Sequence, residues 1–409
     1  MITSETDPTF RSRVSASLLG GAIGDQLGAG VEFLRMDEIR SRFGEAGVTG
    51  PAPAYGRDAG RVTDDTQMTL FVAEGLIRAE ARSRIETGSA PPGRSAEAGR
   101  PDPIVALAHA HLRWLHTQGV PAGAIERMRV DADRAAGTGR DPEPVVSGWL
   151  VTNDWLHHGR APGNTCLAGL RGLPRAPFVP APNASKGCGG VMRAAPVGLA
   201  RPPHAGPAGL AHDVAGLTHG HPTGRIAAAG LAQIVSELCA GRVLAEAIAA
   251  TSNVLRRWQG HDETLDAVDV AVVLARRSRT QGLLAPETIE DLLGGGWVAE
   301  EALAIALCCA LVAEGAVEEG TDPAEAFRRG ALLAVNHSGD SDSTGAIFGN
   351  LVGARLGEPC LPADWLADLE GRETVETMAA DFAAAFAPAW ADREPAPAEA
   401  IDPERYPPW

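Results

Sequence analysis

The chain has 409 residues, 44% of them hydrophobic, 5% aromatic and 22% charged, with a formal net charge of -16. Its apolar content is enough to bury a sizeable core, and so acidic a balance argues against nucleic acid or an anionic membrane as the main partner. Cys166, Cys188, Cys239, Cys308, Cys309 and Cys360 form no CxxC pair, a scatter that fits reduced thiols in a cytoplasm. The start, MITSETDPTF, lacks the basic and apolar stretches of a signal peptide, and no apolar run reaches the roughly 18 residues of a membrane span.

Ser12–Gly28, SRVSASLLGGAIGDQLG, carries apolar and small residues at helical spacing and predicts a helix ending near Gly28–Gly30. Gly20, Gly24 and Gly28 share one face. Glycine costs a helix about 1 kcal/mol against alanine, so the stripe makes sense where another backbone packs on it. Asp25 lies within this stretch, and an exposed or capping acid is the plain alternative to a site role. Glu32, between Val31 and Phe33, is an acid in an apolar setting.

After a loop rich in Gly and Pro, Arg61–Glu80 has a helical face from Leu70, Phe71, Ala73, Leu76 and Ile77, with acids at its start. Asp64 and Gln67 have the spacing of a capping pair, and acids suit the positive end of a helix. Capping explains one acid. It leaves unexplained two adjacent ones, Asp64 and Asp65, flanked by Thr63 and Thr66.

Ala81–Pro103, rich in Arg, Ser, Gly and Pro, reads as a surface loop or insertion. Ile104–Thr117 is a helix whose His109, His111 and His116 lack the pairing with an acid that marks a zinc helix. Val145–His157 and Thr165–Leu170 read as short helices. In Asn183–Leu199, Gly187, Gly189 and Gly190 precede a helix-like start, where backbone N–H groups can cradle a phosphate; a tight connection between helices is the alternative. Lys186 and Arg193 are possible sources of positive charge there. No Walker loop is present, and Cys188 has no base beside it in sequence to make it a nucleophile. A break near Gly220–Pro222 could set His219 and His221 towards a cleft, where His219 could donate a hydrogen bond to a ligand; a satisfied helix-end histidine is the alternative. Helices follow through Ala240 and over Leu244–Trp258, Leu265–Ser278, Trp297–Glu314 and Pro323–Val335. Trp297–Leu311 is apolar almost all round and so is expected to be central.

Asn336–Gly345, NHSGDSDSTG, sets Asp340 and Asp342 two residues apart, with hydroxyls at Ser341, Ser343 and Thr344. Oxygen ligands of this kind suit Mg²⁺, Mn²⁺ or Ca²⁺. An EF-hand does not fit, because Leu351 stands where its last ligand, a glutamate, is needed. A solvated turn with a helix cap is the bland reading; the sharper one brings this cluster together with Thr63–Thr66. A second stripe, Gly345, Gly349, Gly353 and Gly357, mirrors the first, which puts two thin-faced helices at the middle of the bundle near the cations. Asp364–Phe386 gives one or two more helices, and the tail from Ala387 is expected to be extended. No strand pattern of convincing length appears, so the chain reads as one all-α domain over residues 1–409.

Taken in order, GAIGDQLGAGVEF, VTDDTQ, SKGCGGVMRAAPVG, THGHPTGR, GWVAEEALAIAL and NHSGDSDSTGAIFGNLVGA resemble the sequence blocks of the ADP-ribosylglycohydrolase family, the group that includes the dinitrogenase-reductase-activating glycohydrolase. The resemblance covers Ser12–Gly357; Ala81–Pro103 within that span and Ala387–Trp409 beyond it stay outside. It implies an all-α orthogonal bundle with two divalent cations, Mg²⁺ or Mn²⁺, in a cleft. By motif position Thr63, Asp64 and Asp65 are one implied ligand set, and Asp340, Asp342 and Ser343 the other. Glu32 matches an acid that some relatives place beside the site as a gate or base. Ser185, Lys186, Gly187 and Gly189 match the loop around the ADP-ribose diphosphate, and His219 a histidine near the ligand. Asp25 and Cys188 complete the expected substrate-contacting set, and Glu32, Asp65 and Asp342 are the acids expected to serve the chemistry. The implied reaction is hydrolysis at the anomeric carbon of ADP-ribose, releasing it from an arginine or other side chain or from a small molecule, with a monomer as the default state. A non-catalytic shell that binds ADP-ribose or a nucleotide is the competing reading.

Overall fold

A computed structural model describes residues 8–57, 60–88, 103–137, 144–173, 179–202, 205–282, 284–390 and 401–408. In chain order its helices are α1 (Phe10–Gly28), α2 (Met36–Phe43), α3 (Asp64–Gly88), α4 (Pro103–Thr117), α5 (Ala122–Ala136), α6 (Asn164–Arg171), α7 (Ala195–Ala200), α8 (Gly206–Gly216), α9 (Pro222–Cys239), α10 (Leu244–Leu255), α11 (Asp262–Gln281), α12 (Pro286–Leu293), α13 (Ala299–Glu318), α14 (Pro323–Val335), α15 (Ser341–Leu356), α16 (Ala363–Ala367) and α17 (Arg372–Trp390). Among the described residues there is no strand, only isolated bridges between Ala54 and Arg57 and between Gly187 and Val298. The fold is therefore all-α, as the sequence pattern predicts. No described helix is long and apolar enough to cross a membrane.

The two glycine stripes lie against each other. Helices α1 and α15 run antiparallel, so that Gly20 faces Gly349, Gly24 faces Gly345, Gly28 faces Ser341, and Gly353 faces Ala16. At each of these glycines an added Cβ would come within 3.0 Å of the partner's backbone. The low helix propensity of glycine is offset by backbone-to-backbone approach along the whole pair. Gly357 departs from the pattern: it caps the end of α15 at φ 71° and lies outside the helical stripe. Polar groups between the helices pair off. Ser17 Oγ donates to Asn350 O at 3.0 Å, and Asn350 Nδ2 donates back to Ser17 O at 2.8 Å. Buried Arg13 donates to the carbonyls of Ala354 and Arg355, the end of α15 where a cation suits the helix dipole.

Helices α3, α14 and α17 pack around α1, and α9, α13 and α14 around α15. Helix α13 is buried on nearly every side, as expected, but Trp297 precedes it and is 46% exposed.

Several local expectations fail. Helices α2, α5 and α12 are absent from the sequence reading. Each is rich in charge; α2 buries only Met36 and Ile39, and α12 only Ile289 and Leu293. Val145–His157 is not a helix but a pair of 3₁₀ turns, Leu150–Thr152 and Asp154–Leu156. Gly148, at φ 85°, and extended Asn153 interrupt it. The expected loop Ala81–Pro103 is helical over its first eight residues, where α3 continues on i,i+4 ion pairs of Arg82 with Glu86 and Arg84 with Glu80. Residues 89–102 of that loop lie outside the described residues. The tail is not wholly extended. Residues through Trp390 finish α17, and beyond the undescribed stretch 391–400 the chain turns back to bury Ile401 and Tyr406, whose hydroxyl donates to Asp381 at 2.9 Å.

Candidate metal centre

The antiparallel register of α1 and α15 sets the end of one beside the start of the other. Asp340 is the N-cap of α15; its Oδ1 accepts from Ser343 N, and its own N–H donates to Gly295 O at 2.8 Å. On the neighbouring end, the chain leaves α1 through a turn in which Glu32 N–H bonds back to Gly28 O at 3.0 Å. The turn buries the Glu32 side chain beside α15. Oxygens of Glu32, Asp340 and Asp342 consequently lie within 4.8 Å of one another.

Asp25 brings in the second cluster. Its carboxylate accepts from the backbone N–H groups of Thr63, at 2.9 Å, and Thr66, at 3.0 Å, and from both threonine hydroxyls. A residue of α1 thus caps the first turn of α3. The expected capping pair of Asp64 with Gln67 is overturned: Gln67 donates to His158 O and accepts from Trp114 Nε1. With capping supplied by Asp25, Asp64 and Asp65 are free for other work. Asp64 Oδ2 accepts only a long bond from Gly163 N, at 3.4 Å, and Asp65 Oδ1 is buried without a partner. Glu32 Oε2 is likewise buried and unpartnered.

Six carboxylates therefore sit out of water. Burial, then the charge of Asp342, pushes Asp25 up to about 7. Burial, then Asp342, Asp340 and Asp64, pushes Glu32 up to about 11. Asp64, Asp65 and Asp340 are all raised well above the ordinary carboxylate range, by burial first and Asp342 second. Basic side chains on adjoining segments are committed elsewhere, Arg61 and Arg160 to Glu370 and Lys186 to Glu263 and Glu300. Hard oxygens converging from Glu32, Asp340 and Asp342, orphaned carboxylate oxygens on Glu32 and Asp65, and the commitment elsewhere of those basic groups among the described residues fit a site for divalent cations.

The glycine-rich loop forms an adjoining wall. It is pinned to the start of α13 by Ala299 N–H to Lys186 O at 2.8 Å and Cys188 N–H to Trp297 O at 3.3 Å. Behind it His219 lies buried, its Nδ1 2.8 Å from Thr218 Oγ1, with a pKa lowered to about 3 by burial and then Arg193, so its ring is neutral at ordinary pH. A Cβ on Gly187 would meet His219 Nε2 at 3.4 Å, and one on Gly189 would meet Cys166 Sγ at 2.6 Å. Ser185 Oγ pairs with Thr165 Oγ1 at 3.1 Å. The expected positive charge of this loop is mostly spent. Lys186 is held between two glutamates, and Arg193 is fully buried, donating to Gly189 O and Thr218 Oγ1. Cys188 Sγ donates to Asp340 Oδ2 at 2.7 Å and so joins this wall to the acids. Ser343 contributes its backbone N–H to Asp340 and Asp342, while its hydroxyl faces Met192 Sδ at 3.9 Å.

Sequence reasoning passed over three aromatics. The Tyr55 phenol is raised by burial first and then by the charges of Glu32 and Asp342. Phe33, next to Glu32, stacks on Trp297 with ring centroids 5.9 Å apart, and both rings are exposed. Only the position of Phe33 beside a suspicious acid signalled this.

A family model described as ADP-ribosylglycohydrolase matches residues 6–392 of the chain. The chain is similar to the ADP-ribosyl-(dinitrogen reductase) glycohydrolase of Rhodospirillum rubrum, 23% identical over 374 residues that cover 89% of this chain and 92% of the relative. It is also similar to an uncharacterised protein of Archaeoglobus fulgidus, 25% identical over 372 residues, with 88% and 93% covered. Among solved structures, an ADP-ribosylglycohydrolase-related protein complex aligns with a TM-score of 0.48 and 24% identity, over 91% of this chain and 97% of that one.

Proposed function

The chain belongs to the ADP-ribosylglycohydrolase family, and from that premise we propose that it hydrolyses the bond between the anomeric carbon of ADP-ribose and a protein side chain, arginine foremost, using two divalent cations, Mg²⁺ or Mn²⁺. The observation that carries this reading is the convergence of Glu32, Asp340 and Asp342 within 4.8 Å, beside an orphaned Asp65 oxygen. The Rhodospirillum rubrum relative is named for a modified protein, ADP-ribosyl-dinitrogen reductase, which supports a protein-linked substrate here. Six free thiols support a reducing compartment, the cytoplasm. A site drawn from α1, α3 and α15 supports one folding unit, with a monomer as the default state.

In this proposal Thr63, Asp64 and Asp65 would hold one cation and Asp340, Asp342 and Ser343 the other. When bound, the cations would orient the ribose hydroxyls and acidify a water. Glu32 or Asp342 accepts the proton of the attacking water. The negative field of the acids favours the oxocarbenium-like charge that builds as the glycosidic bond breaks. The loop Ser185–Gly189 would line the diphosphate, with Lys186 shared between it and its glutamates, and neutral His219 supports the loop from below. Asp25 acts through Thr63 and Thr66 as a positioning residue.

Release of ADP-ribose from ADP-ribosylated arginine and serine peptides, with Mn²⁺, with Mg²⁺ and with EDTA, tests the proposal. Cation-dependent release from the arginine peptide is expected. Tight binding of ADP-ribose with no release from any substrate would instead favour the binding-only reading.

A further inference from the structure

The turn that leads into α3 is gripped by residues remote from it in sequence. Val62 N–H donates to Glu370 Oε2 at 3.3 Å, and Val62 O accepts from Arg160 Nη1 at 2.9 Å. Thr63 N–H is taken by Asp25, and Asp64 N–H donates to Arg160 O at 3.2 Å. Glu370 lies in the turn between α16 and α17, and Arg160 in the loop before α6. The two meet as a fork. Both Nη atoms of Arg160 donate to the Glu370 carboxylate, Nη2 at 3.0 Å, and Arg61 binds the same carboxylate. Arg160 is 2% exposed and Glu370 7%. Glu370 N–H donates in turn to Gln26 Oε1 at 3.0 Å, one residue beyond Asp25 on α1.

We propose that Glu370 and Arg160 are positioning residues for the cation centre: their fork holds the main chain of Val62–Asp64, and through it keeps the Asp64 and Asp65 carboxylates beside Glu32, Asp340 and Asp342. This rests on the reading of the acidic turns as a cation site and goes beyond it. A buried ion pair is a weak source of stability, because its desolvation offsets most of its attraction. A forked guanidinium–carboxylate pair instead fixes direction and distance together. What it fixes here is main chain. The carboxylates that follow stay open: Asp64 Oδ2 has only its long bond from Gly163, and Asp65 Oδ1 has none. Partners one step removed from the ligands typically change metal affinity by about 10–100-fold.

The test titrates Mn²⁺ into the full-length protein, followed by electron paramagnetic resonance, for the parent, Glu370→Gln and Arg160→Lys. The first substitution turns an amide donor towards the guanidinium groups, and the second keeps the charge but loses the fork. Glu74→Gln is the control. Glu74 is also fully buried between two arginines, Arg78 and Arg113, but one turn after another along α3 from the acids. Folding of each is checked by circular dichroism. Mn²⁺ affinity should fall about tenfold or more in Glu370→Gln and in Arg160→Lys, and by less than about threefold in Glu74→Gln. Turnover of an ADP-ribosylated arginine peptide should recover towards the parent's as Mn²⁺ is raised. Parent-like Mn²⁺ affinity in the two folded variants overturns the positioning role and leaves the cation site standing. An equal loss in Glu74→Gln overturns it too, since general loosening then explains the effect. So does failure of both variants to fold in saturating Mn²⁺, which makes the fork purely structural. A parent that binds no Mn²⁺ removes both readings.

Discussion

Gly24 of α1 and Gly345 of α15 approach so closely that a carbon added to either would lie within 3.0 Å of the other's carbonyl oxygen, nearer than real Cβ atoms come. The nearest atoms that each would meet are main chain, which has no rotamer to change. The contact fixes how far α1 slides along α15, and with it the spacing between the Glu32 turn and the Asp340–Ser343 turn.

Gly24→Ala should therefore force the helices apart. A loss of about 3 kcal/mol or more in unfolding free energy is expected, at the upper end of overpacking costs. Mn²⁺ affinity should fall with it although no ligand is altered. Gly123→Ala, where the nearest neighbour is the end of Arg127 at 3.9 Å, should instead gain up to about 1 kcal/mol from helix propensity. Urea unfolding of both variants, with Mn²⁺ titration, checks the contrast.

Asp342 is the charge that recurs in raising its neighbours. Asp342→Asn keeps an acceptor for Ser343 N–H but removes that charge. Metal-free protein should melt at a higher temperature, while Mn²⁺ binding weakens by more than about 100-fold, beyond the loss typical of an outer-sphere partner. Parent-like Mn²⁺ binding in this variant would contradict its place as a ligand.

The acids also give the metal-free protein an unusual pH dependence. In the unfolded chain carboxyls titrate near pH 4, whereas in the fold Asp25 titrates near 7 and Glu32 near 11. Over the window between, the folded protein holds protons that the unfolded chain has lost. The stability they contribute is full below about pH 4 and declines as pH rises towards 7 for Asp25, and further for Glu32. Melting in EDTA should fall across that range, and Asp25→Asn should flatten part of the slope. Cations replace the protons, so Mn²⁺ affinity should climb over the same interval. A flat melting profile in EDTA would count against the buried-acid cluster.

Gly189→Ala tests the loop apart from the acids. Its new methyl would meet Cys166 Sγ at 2.6 Å and the His219 ring at 3.2 Å, displacing the loop towards the cleft. KM for an ADP-ribosylated peptide should rise about tenfold or more while Mn²⁺ binding is retained. Steady-state kinetics beside a metal titration separates the two.

What the sequence made legible was local. Glycine spacing exposes a thin helix face, and the oxygen-rich turns at Asp64 and Asp340 advertise hard ligands. It could not tell which backbone fills the thin face, nor that Asp25 caps a helix whose first turn lies 38 residues away. The charge of Lys186 was visible, but Glu263 and Glu300, which hold it, are 77 and 114 positions distant. Helix α2 escaped notice because two buried side chains, Met36 and Ile39, make too faint a periodic signal. In each case the deciding partner is remote in sequence, and residue patterning reports only neighbours.

Ser17 and Asn350, which clasp each other across the central helix pair, are 333 positions apart. On a ribosome adding roughly 5–20 residues per second, α1 emerges and then waits roughly 20–70 s for its mate. Throughout that delay its bare glycine groove has nothing to lie against, and the acids beside it have no opposite bank. Maturation of the centre thus cannot precede the synthesis of α15, and a ribosome stalled short of α15 would leave a nascent chain with an open groove for chaperones to shield.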